Sequence, residues 1–179
     1  MSYSHLRCMR YVTLKGTLIV PCSRYIQDIL TSLNMDNCNL APTPITSVRK
    51  PEGGDGEILG PTEGKTYRRV VGIARYLRLL RPDLGFVVKE VSHRLQQPQD
   101  DDLKRLKRMA RYCSGTTDLG VFMPTLRGEA AESLKLIGYS DSDWAGDKVS
   151  RKSTSSGAVY LGPIPPDRHS KVAGRDRDK

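Results

Sequence analysis

The feature that most constrains the fold is a series of three apolar stripes at helical spacing between Lys65 and Gly115. Apolar residues that recur three and four positions apart line one face of a helix. Pro82 and Pro98 divide the stripes, because a proline restricts the residue before it and suits the first turn of a new helix. The stripes consist of Tyr67, Val70, Val71, Ala74 and Leu77, then Leu84, Val87, Val88, Val91 and Leu95, then Leu103, Leu106, Ala110 and Cys113. The sequence therefore predicts three helices that pack on one another, the second over 82–97 and the third between an acidic triplet at 100–102 and Gly115.

Shorter elements are predicted on both sides of these helices. Strands over 8–14 and 17–20 flank a Lys15-Gly16 turn, and an apolar stripe predicts a helix over 23–35. Four prolines and five glycines between 39 and 64 predict a flexible, exposed linker without secondary structure. Strands follow over 119–123, 134–140 and 155–161, and the stretch from 163 onward is expected to be disordered. The fold class is therefore α+β, with a central basic three-helix segment.

Positive charge is concentrated in the helical segment. The chain has a net charge of +9, and the window 65–111 holds 13 basic and five acidic residues, so this window alone carries +8. One interpretation is a solvated helix face. The other is contact with the phosphate backbone of a nucleic acid, which neutralises crowded like charges and releases counterions. The candidate contacts are Arg68, Arg69, Arg75, Arg78, Lys104, Arg105, Lys107, Arg108 and Arg111.

Other classes of site are poorly supported by the sequence. The four cysteines and three histidines lack zinc-ligand spacing, and the apolar runs are too short for a membrane span of about 20 residues. We expect an intracellular location, cytoplasmic or nuclear, and no membrane partner. Asp141, Asp143 and Asp147 follow a predicted strand. They fit either a polar turn or part of a two-metal nuclease site.

Several sequence blocks resemble the Pol polyprotein of copia-type LTR retrotransposons, in the region that joins reverse transcriptase to ribonuclease H. The first blocks are 23–30, and then 35–38 with Thr43-Pro44. The helical segment contributes 67–72 with Tyr76-Leu77 and 81–83, followed by Lys107-Arg108, Arg111-Tyr112 and Gly115-Thr116. The last block is 138–147 with 151–155 and Gly157. The resemblance implies the end of a polymerase palm over 1–38, a linker over 39–64, a thumb-like or connecting segment over 65–116, the start of a ribonuclease H-like domain over 117–162, and a tail over 163–179. All of these would be incomplete domains of a longer protein.

The resemblance also implies limits on activity. No counterpart of the family's polymerase aspartates is present, and Asp141 alone matches a ribonuclease H carboxylate and Mg²⁺ ligand. We therefore expect no cofactor in this chain, although an intact enzyme would need Mg²⁺, and no catalysis by the chain alone. The expected partners are an RNA–DNA hybrid or another duplex, contacted through its backbone, and other Pol segments. The alternatives are a standalone basic nucleic-acid-binding module and an inert product of a decayed element.

Overall fold

The fold comprises two units in the computed structural model, which describes residues 1–5, 8–46, 56–125, 135–142, 144, 153–161 and 177–178. One unit is formed by Met1–Ile19 with Gly120–Lys179, and the other by Val20–Leu119. Strands dominate the first unit, and the second contains the helices of the described residues. Across the described ranges, none of the helices combines the length and the apolar character needed to cross a bilayer.

A four-stranded sheet contains strands from both chain segments of the first unit. Its strands are β1 (Ser2–His5), β2 (Cys8–Thr13), β3 (Gly16–Pro21) and β4 (Val121–Pro124), in that order. The β2–β3 hairpin confirms the predicted turn, shifted by one residue to Leu14-Lys15. Strand β1 was not predicted, because its polar residues show no apolar alternation.

The pairing of β4 is also a part of this sheet that the sequence did not predict. β4 runs antiparallel to β3, with Gly16 opposite Pro124 and Ile19 opposite Val121. This strand therefore completes the N-terminal sheet, whereas the sequence grouped it with the later strands. Periodicity identifies a strand but carries no information about its partner, since pairing between residues 16–19 and 121–124 is a long-range interaction.

A second sheet follows in the same unit. Strands β5 (Leu136–Ser142) and β6 (Thr154–Leu161) pair antiparallel, and β7 (Arg177–Asp178) pairs with the start of β6. The predicted strands over 134–140 and 155–161 are thus confirmed within about two residues. Apart from β7, the tail predicted to be disordered lies outside the described residues, and so do 47–55 of the predicted linker.

The hydrophobic core lies in the helical unit. It contains α1 (Ser23–Ser32), α2 (Pro61–Leu77), a 3-10 turn (Pro82–Leu84) that leads into α3 (Gly85–Ser92), and α4 (Asp100–Ser114). The three predicted stripes meet in one cluster together with the apolar face of α1. Each of these helices is stable because it buries one apolar face against its neighbours.

Two boundaries in the helical unit correct the sequence prediction. Helix α2 begins at Pro61 inside the predicted linker, because proline suits the first helical position. Helix α3 ends at Ser92 instead of residue 97. There the Ser92 hydroxyl donates a hydrogen bond to the Val88 carbonyl at 2.6 Å, a side-chain bond that competes with continued helix.

Residues from both described parts of the predicted linker, 39–46 and 56–64, also take part in the fold. Ala41 and Leu59 are buried at 7% and 8% exposure. The Leu59 backbone N–H donates to the Pro98 carbonyl, and Ile58 forms a β-bridge with Gln99. The expectation of an exposed linker is therefore wrong at these positions, because composition alone does not show which apolar residues find a partner.

Candidate nucleic-acid interface

The nine basic candidates belong to the helical unit and lie on or at the end of two of its helices. Arg68, Arg69 and Arg75 are exposed on α2, and Arg78 follows its last residue. The other five lie on α4, whose buried stripe runs through Asp102, Leu106, Met109, Ala110 and Cys113. At 100° per residue, Lys104, Lys107, Arg108 and Arg111 fall on the opposite side of α4. We refer to these four residues as the α4 basic face.

Two of the nine candidates are paired with carboxylates at the start of α4. Lys104 Nζ lies 3.1 Å from Asp101 Oδ1, but both side chains are more than half exposed, so this pair is weak. Arg105 Nη1 lies 3.3 Å from Asp102 Oδ1, with the two side chains only 16% and 3% exposed. The Asp102 carboxylate also accepts the Gln99 backbone N–H at 3.1 Å. The charge of Arg105 is therefore already neutralised by Asp102 within the fold.

Other candidates contact neutral groups. Arg68 Nη1 donates to the Leu95 carbonyl at 3.3 Å, and Arg108 Nη2 donates to Thr43 Oγ1 at 2.9 Å. Arg78 is half-buried and also interacts within the fold. Within the described residues, no carboxylate pairs with Arg68, Arg108 or the remaining four candidates, which are Arg69, Arg75, Lys107 and Arg111. The structure thus separates the paired cations from those whose charge is not neutralised.

Arg81 shows that not every cation of the basic window is available at the surface. It is 1% exposed, and its guanidinium forms a two-pronged ion pair with Asp83 through Nε–Oδ1 at 3.0 Å and Nη2–Oδ2 at 2.8 Å. It also donates to the Thr116 carbonyl and hydroxyl, both at 2.8 Å. The Tyr112 hydroxyl donates to Asp83 at 2.9 Å, and its ring lies 5.5 Å from the guanidinium. These four residues, the Arg81 network, join the α2–α3 connection to the end of α4.

The Arg81 network shifts the pKa values of its members. Burial tends to raise the pKa of Asp83, but the hydrogen bonds and charge of Arg81 outweigh it and lower the pKa. Burial tends to lower the pKa of Arg81, and Asp83 reverses that effect, so the net pKa is raised. For Tyr112, burial and then the hydrogen bond to Asp83 raise the pKa. The neighbouring Cys113 is buried, which raises its pKa to about 11 and keeps the thiol protonated at neutral pH.

Tyr67 provides a second buried polar link beneath the basic helices. Its hydroxyl donates to the Val91 carbonyl at 2.5 Å, which ties α2 to α3. Burial raises the pKa of Tyr67, the negative charge of Asp102 adds to that rise, and Arg105 opposes it. Tyr67 therefore remains a neutral hydrogen-bond donor and has a structural role.

Leu40 and Thr43 lie against the C-terminal half of α4, and we call the stretch that holds them the 39–46 segment. A Cβ atom placed on Gly115 would lie 3.4 Å from Leu40 Cδ1, and Thr43 accepts the hydrogen bond from Arg108. The seven helical residues from 108 to 115 rise about 10 Å, and three extended residues from 40 to 43 span about the same length. The segment therefore runs antiparallel to this part of α4.

Sequence reasoning did not identify Arg81 or Thr43 as important residues. An arginine and an aspartate on either side of a proline, as in Arg81-Pro82-Asp83, do not by themselves indicate a buried ion pair. Thr43 is neutral, so a count of charges passes over it. Thr43 gains its role from Arg108, 65 positions away in the chain, and Arg81 donates to Thr116, 35 positions away.

The carboxylate Asp141 lies within β5, opposite Ser156 of β6, and it is exposed. Asp143 and Asp147 lie outside the described residues. Among the residues that the structure describes, no group of three or more Asp, Glu, His or Cys side chains could hold a metal ion. A two-metal site needs several carboxylates around the ions, so Asp141 by itself does not fit Mg²⁺ bound as in a nuclease.

The chain is similar to several proteins of known sequence. It is 38% identical over 143 residues to the retrovirus-related Pol polyprotein from transposon RE1 of Arabidopsis thaliana, and 39% identical over 143 residues to that from transposon RE2. Each match covers 79% of this chain and 9% of the relative. The corresponding polyprotein from transposon TNT 1-94 of Nicotiana tabacum is 32% identical over 138 residues, covering 74% of this chain and 10% of the relative.

The chain therefore spans about a tenth of the length of these polyproteins. No family model and no solved structure matches the chain.

Proposed function

Because this chain belongs to the copia-type retrotransposon Pol family, we propose that its helical unit binds the phosphate backbone of an RNA–DNA hybrid or DNA duplex in the reverse transcriptase and ribonuclease H region. The exposed guanidinium and ammonium groups on α2 and α4 that lack a carboxylate partner carry the proposal. These groups would contact phosphates and not base edges, so the binding would not depend on base sequence.

The α4 basic face supports this proposal through its electrostatics. Lys104, Lys107, Arg108 and Arg111 repeat at intervals of three and four, so the like charges lie next to one another on the helix. The carboxylates of α4 are confined to its first turn. A phosphate backbone relieves the repulsion and gains the entropy of released counterions. Arg81 and Arg105 do not contribute to this surface, since Arg81 is buried, Arg105 is half-buried, and each is paired with a carboxylate.

Binding of a labelled RNA–DNA hybrid, followed by fluorescence anisotropy at several salt concentrations, tests the proposal. We expect the affinity to fall as salt rises, and Lys107→Gln to reduce the slope of log K against log salt by about 0.7–0.9. Lys15→Gln is the matched control, because it removes the same charge from the exposed β2–β3 turn. No detectable binding at low salt, or equal effects of the two substitutions, would refute the proposal.

The chain alone is proposed to lack ribonuclease H activity. In the part of the chain that the structure describes, the candidate Asp141 is not joined by the further carboxylates that a two-metal mechanism requires. The chain should leave an RNA–DNA hybrid intact in Mg²⁺. Cleavage that depends on Mg²⁺ and disappears in Asp141→Asn would contradict this part of the proposal.

A further inference from the structure

Thr43 is held against α4 by the most distant side-chain hydrogen bond of the helical unit. Arg108 Nη2 donates to its Oγ1 at 2.9 Å, across 65 residues of sequence. Thr43 itself is exposed, and its hydroxyl donates to no acceptor among the described residues. A threonine hydroxyl has one hydrogen to donate as well as lone pairs to accept. The Thr43 hydroxyl hydrogen is therefore available to an acceptor from outside, beside the positive charge of Arg108.

Arg108, which donates to this hydroxyl, and Arg111, about one turn further along α4, both have unused hydrogen-bonding capacity. The Nε atoms of Arg108 and Arg111 are buried and have no hydrogen-bond partner among the described residues. Neither guanidinium is paired with a carboxylate there. A buried donor without an acceptor destabilises the fold, and more so when it belongs to a charged group. The Arg81 and Arg105 guanidinium groups of the same unit are each paired with a carboxylate. Among the described residues, Arg108 and Arg111 have no such carboxylate partner.

We infer that Thr43, Arg108 and Arg111 form a phosphodiester-binding subsite, in which the 39–46 segment supplies a hydroxyl to the α4 basic face. The inference rests on the proposed function, which it makes more specific, and it adds a neutral residue that charge counting missed. Arg108 fixes the Thr43 hydroxyl and polarises it, since hydrogen bonds in a chain strengthen one another. The non-bridging phosphate oxygens then accept the Thr43 hydroxyl hydrogen and Nη–H groups of Arg108 and Arg111.

The ligand class follows from the donors. A phosphodiester carries one negative charge and presents several acceptor oxygens, which match an arginine fork together with a hydroxyl. The subsite contacts no base edge, so it distinguishes nucleic acids by the path of their backbone and not by their sequence. Thr43, which lies in a stretch predicted to be a flexible linker, is in this view part of the interface.

Thr43→Val tests the subsite because it removes the hydroxyl and keeps the shape of the side chain. Against a labelled RNA–DNA hybrid we expect about 5- to 10-fold weaker binding, which corresponds to the net contribution of one ordinary hydrogen bond. The salt slope should not change, because no charge is lost. Thr43→Ser should bind like the wild type. Thr46→Val is the matched control, since Thr46 is exposed three residues later and its side chain makes no hydrogen bond among the described residues.

Arg111→Gln gives an independent measurement that leaves the contact between Thr43 and Arg108 in place. It should reduce the salt slope by about 0.7–0.9. Thermal unfolding shows whether each variant is folded at the temperature of the binding measurement. Equal affinity of wild type and Thr43→Val, or an equal loss in Thr46→Val, would overturn the subsite while the proposed function stands. A wild-type chain that binds no duplex would overturn both.

Discussion

The Arg81 network is the part of the helical unit whose loss should be most damaging, and Arg81→Lys is the sharpest perturbation of it. The substitution retains the positive charge but replaces a planar fork with a single ammonium nitrogen. In the native structure the guanidinium reaches two separate targets, the Asp83 carboxylate and the Thr116 carbonyl and hydroxyl, through four hydrogen bonds of 2.8 to 3.0 Å. One nitrogen at the end of a flexible stem cannot serve both targets.

The expected loss can be worked from these contacts. Lysine would forfeit about two of the four hydrogen bonds, each with a net value of about 1.5–3 kcal/mol when a charged group takes part. The Asp83 side chain is 34% exposed, so water replaces part of what it loses. We therefore expect a destabilisation of about 3 kcal/mol. For a unit of this size, each kcal/mol lowers the unfolding midpoint by about 4–8 °C, which predicts a fall of about 12–24 °C.

Far-ultraviolet circular dichroism is a suitable assay, since the described α-helices all lie in the Val20–Leu119 unit. Arg69→Lys is the matched control, because Arg69 is exposed on α2 and should change stability by no more than about 0.5 kcal/mol. If the midpoint of Arg81→Lys stayed within a few degrees of the wild type, the network would not hold the helices together as we argue.

Three further predictions concern other parts of the molecule. Asp83→Asn should destabilise the helical unit at neutral pH but progressively less below about pH 4, since the lowered pKa of Asp83 contributes stability that is lost as the carboxylate protonates; denaturant titrations at two pH values check this. Cys113 should react with a thiol reagent at pH 8 far more slowly than the half-buried Cys38, because burial raises its pKa to about 11; equal rates would contradict the buried placement. Gly16→Ala should weaken the N-terminal sheet by more than about 1 kcal/mol, because its φ is +154° and a Cβ would lie 2.4 Å from the Met123 carbonyl oxygen; an unchanged urea midpoint would argue against the β3–β4 pairing.

Local pattern was a reliable guide to the helices of this protein. The stripe through Tyr67, Val70 and Leu77 predicted α2, and the acidic triplet marked the start of α4. Both signals act within a few residues: apolar periodicity specifies which face is buried, and carboxylates favour the first turn of a helix. The hairpin around Lys15 was predicted for the same reason. Sequence blocks also identified the Pol family, which the relatives confirm.

The predictions about strand pairing and about burial of the predicted linker failed because they depended on where distant residues lie. Nothing near β4 indicates that it pairs with β3, and nothing in the composition of the 39–46 segment indicates that Ala41 is buried. These contacts join residues that are far apart in the chain, and their free energy appears only when the elements between them have folded. A proline-rich sequence predicts irregular backbone, but irregular backbone can still be packed against a helix.

The sequence by itself determined the family, the helical core and the region that holds the excess of positive charge. Only the tertiary structure decided which of those charges are free. It buries Arg81 against Asp83, pairs Arg105 with Asp102 and leaves Arg108 beside a threonine hydroxyl. The physical reason is that net charge adds up along a chain regardless of position, whereas neutralisation requires an acid within a few ångströms. Folding sets those distances, and with them the residues that can bind a phosphate.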